Sequence, residues 1–425
     1  MLRPKDYKER LIEKKLDEQM QSFGAVCIEG PKYCGKTWTG LSRAESVAFI
    51  GDPERNFQMR TMAQLSPDLV LQGDIPRLID EWQEVPLLWD AIRFYVDKAG
   101  RKGQFLLTGS ATPNHKGILH SGVGRISKLQ MDTMSLFESG DSSGQVSLRA
   151  IFDEGIEPQL CSEVSLEKLI YLTVRGGWPG NLTVSQKNCG ELAREYLKTV
   201  IDDDVYRVDG IQRDSRKMWS LIRSLGRNES TLVSNANLRR DVEAKDEVSI
   251  DPDTISQYLD IFSRLFLLYD QPAFSTHLRS SRRLLKAPKR HFMDSSLAIA
   301  AMEISPEMLL HDLHTFGFIF ESLCEHDLKI YAQVNDGELY HFRDDKGNEV
   351  DAVVQWPDGS WGAFEIKLGA KQIDQASKNL IKIKNIFEME GEQPPAILAV
   401  ICGLSNMAYQ RKDGVFVIPI TALKP

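Results

Sequence analysis

The residues with the clearest capacity for chemistry run from Gly30 to Thr37. Gly30-Pro31-Lys32-Tyr33-Cys34-Gly35-Lys36-Thr37 fits G-x-x-x-x-G-K-[ST] at every fixed position. Backbone N–H groups of such a loop surround phosphate oxygens with partial positive charge. Lys36 would reach the β- and γ-phosphates, and Thr37 would place a hydroxyl on Mg²⁺. Further along, Leu78-Ile79 ends in Asp80-Glu81. At a strand end beside a phosphate loop, Asp80 would hold Mg²⁺ and Glu81 would polarise the attacking water. Phe105-Leu106-Leu107 ends in Thr108-Gly109-Ser110, where a hydroxyl such as that of Ser110 either senses the γ-phosphate or belongs to a simple turn. Arg125 is either a surface arginine or one that neutralises transition-state charge, in a neighbouring subunit's site. Arg175 is a weaker rival for that role. ATP or ADP with Mg is therefore the expected ligand set, and a homo-oligomer built through Arg125 is one expected assembly.

A second set lies near the C-terminus. Glu349-Val350-Asp351 and Glu365-Ile366-Lys367 flank the turn residues Pro357-Asp358-Gly359-Ser360. Strand alternation puts Glu365 and Lys367 on one face. Asp351 joins that face only if a loop of three or five residues, or a bulge, sets the hairpin register, because a one-residue slip flips every side chain. Glu321, on a helix over 316–329, could add a carboxylate. Two or three carboxylates can hold Mg²⁺ against a scissile phosphate while a lysine orients water. Gln375 lies early in the next helix.

These sites need elements to carry them. Glycine 24 to Glu29 reads as a short buried strand before the loop. Strands at 25–29, 46–50, 75–79 and 104–108 alternate with helices, which argues for a parallel sheet with helices on both faces. An amphipathic helix over 5–20 precedes them. Ser139-Gly140-Asp141-Ser142-Ser143-Gly144 marks a flexible exit, and residues 163–208 look helical around Gly176-Gly177-Trp178-Pro179-Gly180. Helices over 213–226, 231–240 and 252–268 then precede a ribbon, which suggests a winged helix-turn-helix. A helix from about 315, short strands, a helix over 372–388 and strands at 396–402 and 414–419 make a second α/β unit.

Glu29-Gly30-Pro31-Lys32 through Thr37, Ile79-Asp80-Glu81-Trp82-Gln83-Glu84-Val85-Pro86, Leu107-Thr108-Gly109-Ser110 and Gly124-Arg125 together resemble the AAA-family ATPases of bacteria and archaea. More narrowly they are similar to the subfamily fused to a C-terminal domain of unassigned function with a restriction-nuclease-like fold. Asp351, Glu365 and Lys367 fall in the motif positions of the PD-(D/E)xK phosphodiesterases, and the resemblance implies an auxiliary polar role for Gln375. The resemblance implies an α/β chain in four parts. These are a P-loop AAA-type core over 1–140, a linker and helical lid over 141–209, a winged helix-turn-helix over 210–292, and a nuclease-like domain over 293–425. Trp82 and Trp178 depart from the aliphatic or phenylalanine residues the resemblance leads one to expect.

Composition bounds the partners. The 425 residues are too many for one core and suggest about three domains. A net charge of −8 argues against a wholly basic nucleic-acid coat. Yet 271–293 holds Arg279, Arg282, Arg283, Lys286, Lys289 and Arg290 and no acidic residue before Asp294, a local excess suited to DNA, or less well RNA. The bland reading is a solvated loop or a contact with Asp202-Asp203-Asp204. Six scattered cysteines without a C-x-x-C pair signal neither a zinc site nor a disulfide framework, and a reducing cytoplasm fits. No apolar run of about 18 residues exists to span a membrane. Two functions follow as expectations. One is a Mg-dependent ATPase whose cycle controls a nucleic-acid-binding, nucleolytic C-terminal half. The other is an ATP-gated binding or regulatory switch whose nuclease-like domain is catalytically inert.

Overall fold

The computed structural model describes residues 2–53, 57–112, 118–276 and 288–425. The chain divides into two compact units. The first contains the residues up to Thr133 together with Asp202–Arg213 and Asp260–Leu267, and the second contains the remainder.

The first unit is built on a parallel sheet of five strands: β1 (Ala25–Glu29), β2 (Ser46–Phe49), β3 (Arg77–Asp80), β4 (Phe105–Gly109) and β5 (Ile126–Gln130), in the order β2-β3-β4-β1-β5. All five residues of β1 are buried, as a central strand covered on both faces requires. Alternation sorts them. Ala25 and Cys27 join Ile79, Phe105 and Leu107 in one apolar cluster, closed by Trp82, Leu88, Trp89 and Ile92. Val26 and Ile28 join Leu78 and Leu106 in another, closed by Leu16 of the helix Glu13–Ser22. The helix Leu87–Ala99 ends at Gly100, whose φ of 63° favours glycine. The registers Ile28↔Thr108, Ile79↔Leu107 and Phe49↔Asp80 align the C-terminal ends of the strands along one edge of the sheet. Four of the five strands match the sequence reading. The fifth was missed: its short Ile-Ser-Lys-Leu-Gln pattern gives only two apolar positions.

The second unit carries a mixed sheet ordered β10-β11-β12-β13-β15-β14-β7. Its strands are β7 (Gln159–Leu160), β10 (Glu338–Arg343), β11 (Glu349–Gln355), β12 (Trp361–Lys367), β13 (Ile397–Cys402), β14 (Met407–Gln410) and β15 (Phe416–Pro419). Two-residue strands β6 (Val146–Ser147) and β16 (Leu423–Lys424) pair in parallel, and β8 (Leu268–Gln271) pairs antiparallel with β9 (Lys289–Phe292). Trp361, Ala363, Val353, Leu398 and Val400 pack against Ile373, Ala376, Leu380, Ile383 and Phe387 of the helix Ile373–Met389.

The four-part division read from the sequence differs from these units. The 141–160 stretch, expected as linker, supplies β6 and β7 to strands near the C-terminus. The expected lid helices Leu166–Arg175 and Glu191–Thr199 pack with the helix Ser295–Ala301 inside the second unit. Gly177 is required where they turn: a Cβ there would lie 2.1 Å from the Met134 carbonyl. The helices Ser215–Arg227, Asn235–Lys245 and Pro252–Arg264 followed by the β8–β9 ribbon run in the order expected of a winged helix. They make no unit of their own, and residues 277–287 lie outside the described residues.

Candidate nucleotide site and C-terminal carboxylate cluster

Three strand ends build the first site. Gly30 follows β1 in contact with the Met131 carbonyl, which a Cβ at position 30 would approach to 2.1 Å. Gly35 has φ 107°, a conformation that glycine takes without strain. Between them Pro31, Lys32, Tyr33 and Cys34 form the loop, with Cys34 buried and Tyr33 exposed. Lys36 is buried, and its ammonium donates to the loop's own carbonyls, Gly30 at 2.9 Å and Pro31 at 2.6 Å. A cation held by two carbonyls of the loop is placed for an anion that the loop takes up.

Thr37 and Thr108 both donate hydroxyl hydrogen bonds of 2.7 Å to Asp80 Oδ1. Burial raises the Asp80 carboxyl above its ordinary range and the two hydroxyls offset part of that rise. The clustering of Thr37 and Asp80 oxygens is the hard-oxygen donor set that Mg²⁺ prefers, so the residues fit that ion. Glu81 begins the turn after β3 at φ 54°, uncommon for a residue with a side chain. The Glu81 N–H donates to Thr108 Oγ1 at 3.0 Å. Ser110 Oγ donates to the Glu81 carboxylate at 2.8 Å, and the Gln83 amide donates to the same oxygen and to Ser110. Glu81 and Ser110, read separately from sequence, are thus direct partners. Thr108 and Gln83 fix them, and Gln83 had been read only as part of a motif.

Further contacts were not legible in the sequence. Arg10 is buried and donates to the Cys34 carbonyl at 2.6 Å and the Asp132 carbonyl at 2.9 Å. Glu13, which accepts from the Arg10 N–H at 2.9 Å, also accepts from Tyr7, whose hydroxyl meets Thr39. Lys32 pairs with Asp204 at 2.6 Å.

Arg125 lies at the other end of the sheet. Its carbonyl accepts from the N–H of Ala25, the first residue of β1, at 3.0 Å. Five strand residues, about 16 Å, separate it from the phosphate loop of its own chain. Its guanidinium pairs with Asp97 at 2.6 Å. Arg175 is buried against Asp141 at 2.6 Å within the second unit.

Residues 22–139 match the family model described as an AAA domain. This region is an AAA-type P-loop domain. Downstream of the AAA domain, residues 166–308 and 316–423 match two models described as domains of unknown function, DUF8612 and DUF4143. The first of these spans both the expected lid and the expected winged helix. The chain is 22% identical over 352 residues to the uncharacterized protein Rv2008c of Mycobacterium tuberculosis, covering 80% of this chain and 70% of that one. The uncharacterized protein Mb2031c of Mycobacterium bovis matches to the same extent. Among solved structures, the Walker-type ATPase PABY2304 of Pyrococcus abyssi is similar at 11% identity and a TM-score of 0.44, over 71% of this chain and 97% of that one. Among the described residues, no helix is long and apolar enough to cross a membrane.

The C-terminal carboxylates form a cluster within the second unit. Strands β11 and β12 pair Gln355 with Trp361 and Ala352 with Phe364, so the five-residue loop 356–360 puts Asp351 level with Glu365. Lys367 bridges them, 2.9 Å from Asp351 and 2.6 Å from Glu365. Burial and the neighbouring Asp351 push the Glu365 carboxyl up to about 7. Burial disfavours the Lys367 ammonium, yet Asp351 and Glu365 hold its pKa above the ordinary value. Gln375 is exposed. Asn379, one helical turn later, takes the auxiliary place and donates to Glu365 at 2.6 Å.

Glu321 does not join as a third free carboxylate. It pairs with Lys289, which also lies 2.8 Å from Glu325 and 3.5 Å from the Asp351 carbonyl. Lys289, one of the six basic residues expected to contact nucleic acid, is instead buried, and Arg290 pairs with Asp270 at 3.0 Å. Arg279, Arg282, Arg283 and Lys286 lie outside the described residues. Among the described residues no three His, Cys, Asp or Glu side chains group so as to hold a metal ion.

Proposed function

We propose that the protein is a Mg²⁺-dependent ATP hydrolase. The observation that carries this reading is the convergence of Lys36, Thr37, Asp80, Glu81, Thr108 and Ser110 at the aligned ends of β1, β3 and β4. The loop N–H groups bind phosphate oxygens, and Lys36 exchanges the Gly30 and Pro31 carbonyls for them. Thr37 and Asp80 would hold Mg²⁺, which when bound offsets phosphate charge. Glu81, oriented by Ser110 and Gln83, polarises a water for attack. Arg125 can serve only a neighbouring copy's site, so its contribution requires self-association.

For the C-terminal half we favour the switch over the nuclease. Lys289 and Lys367 each pair with two carboxylates there. A divalent ion would have to displace the part-buried Lys367 ammonium beside the buried Lys289, and removing a cation from such a cluster leaves charges uncompensated. Nucleic acid, DNA over RNA, stays a candidate partner only through the arginines at 279, 282 and 283. Calorimetric titration with ADP, and phosphate release from Mg-ATP, test the hydrolase reading. Wild type is expected to bind and turn over, and Lys36→Ala to do neither. Binding that survives Lys36→Ala unchanged would remove the phosphate loop from the account. Incubation of the intact protein with DNA and Mg²⁺ or Mn²⁺ tests the switch, which predicts no cleavage. Cleavage lost in Asp351→Ala would restore the nuclease.

A further inference from the structure

Lys32 sits inside the phosphate loop yet its ammonium is turned to Asp204, 2.6 Å away. Asp204 is almost fully buried, with 5% of its side chain exposed, while Lys32 keeps 35%. The second Asp204 oxygen, Oδ2, is buried with no hydrogen-bond partner. Asp204 therefore depends on Lys32 for much of the compensation that its charge needs in a poorly solvated place. Its neighbours Asp202 and Asp203 are exposed and need no such partner. The segment Asp202–Arg213 belongs to the first unit, although the chain on either side of it belongs to the second.

A nucleoside di- or triphosphate entering the loop brings several negative charges close to Lys32. Lys32 gains a stronger partner, and Asp204 gains a repulsive neighbour. We propose that Asp204 competes with the nucleotide's phosphates for Lys32, so that Asp204 sets nucleotide affinity and nucleotide binding releases the 202–213 segment. This rests on the reading of 30–37 as a nucleotide site. Coupling of this kind is reciprocal: whatever affinity Asp204 takes from the nucleotide, the nucleotide takes from the Lys32–Asp204 pair.

The test is calorimetric titration of the full chain with ADP, comparing wild type, Asp204→Asn and Asp203→Asn. Asp204→Asn keeps the shape and removes the competing charge, and is expected to bind ADP at least about fivefold more tightly. Asp203→Asn makes the same change in net charge away from Lys32 and is expected to bind as wild type does. Equal tightening in both variants would reduce the effect to general electrostatics and overturn the proposal, as would unchanged affinity in Asp204→Asn. Hydrogen exchange on wild type supplies an independent check should Asp204→Asn fold poorly. Saturating ADP is expected to speed exchange in 202–209, and unchanged or slowed exchange there contradicts the release. If wild type binds no ADP at all, the failure lies with the nucleotide site itself and not with Asp204.

Discussion

Lys36 and Arg10 both hold the phosphate loop by its carbonyls. Lys36 donates to the first two loop carbonyls, and Arg10 to the carbonyl of Cys34. Arg10→Ala removes a charged donor from two buried carbonyls, at about 1–3 kcal/mol each. It is expected to lower the urea midpoint and weaken ADP binding together, and Arg10→Lys to restore part of both. Loss of stability with ADP affinity untouched would make Arg10 a scaffold residue only. The loop itself was legible because its fixed positions follow from local backbone chemistry: a glycine at 30 where a Cβ cannot fit, another at 35 with φ 107°, and a lysine and a hydroxyl at set distances. Arg10 and Asp204 were not, because their contacts cross 24 and 172 residues of chain. Nothing in the local sequence marks which exposed-looking charge will fold inward.

At the scale of elements, the β11–β12 hairpin shows how register makes a site. Its five-residue loop puts Asp351, Glu365 and Lys367 together, and the parity of that loop could be argued in advance from strand alternation. The helix Ile373–Met389 could be placed too, but its contact residue was misread by one turn, Asn379 for Gln375, since both positions are polar. Lys289 was misassigned because a count of charges along a ribbon does not tell which side chain faces the core. Glu365 has a testable pH signature. Its carboxyl sits near 4.5 unfolded and about 7 folded, so the folded state binds the proton more tightly. Stability from this group is therefore greatest at low pH and falls as pH rises from about 4.5 through 7, by about 3 kcal/mol. Urea unfolding between pH 5 and 8 is expected to show a shallower decline for Glu365→Gln than for wild type, and parallel declines would contradict the assignment. Lys289→Met is expected to destabilise by about 3–5 kcal/mol, because it leaves Glu321 and Glu325 buried without their cation. A loss under about 1 kcal/mol in the same assay would show that the cluster is solvated.

For the whole molecule, the alternation of strands and helices gave the first sheet, but the division of the chain was hidden. Strands of two residues, such as β6 and β7, leave no periodicity to read, and so the stretch that supplies them looked like a linker. The two units make a thermal prediction. ADP at a hundred times its Kd stabilises the AAA domain by about 2.7 kcal/mol, so only the transition that includes residues 22–133 is expected to move in a calorimetric scan, and none in Lys36→Ala. An equal rise for the whole chain would mean that the units unfold as one. The central claim is that Glu81 directs hydrolysis in a site that binds nucleotide without it. It is tested most directly by single-turnover ATP hydrolysis with Mg²⁺, with ATP binding measured in parallel, on wild type and Glu81→Gln. The account predicts retained binding and hydrolysis slowed by at least about 100-fold in Glu81→Gln. Hydrolysis by Glu81→Gln at the wild-type rate, or a wild type that binds ATP and never cleaves it, would contradict it.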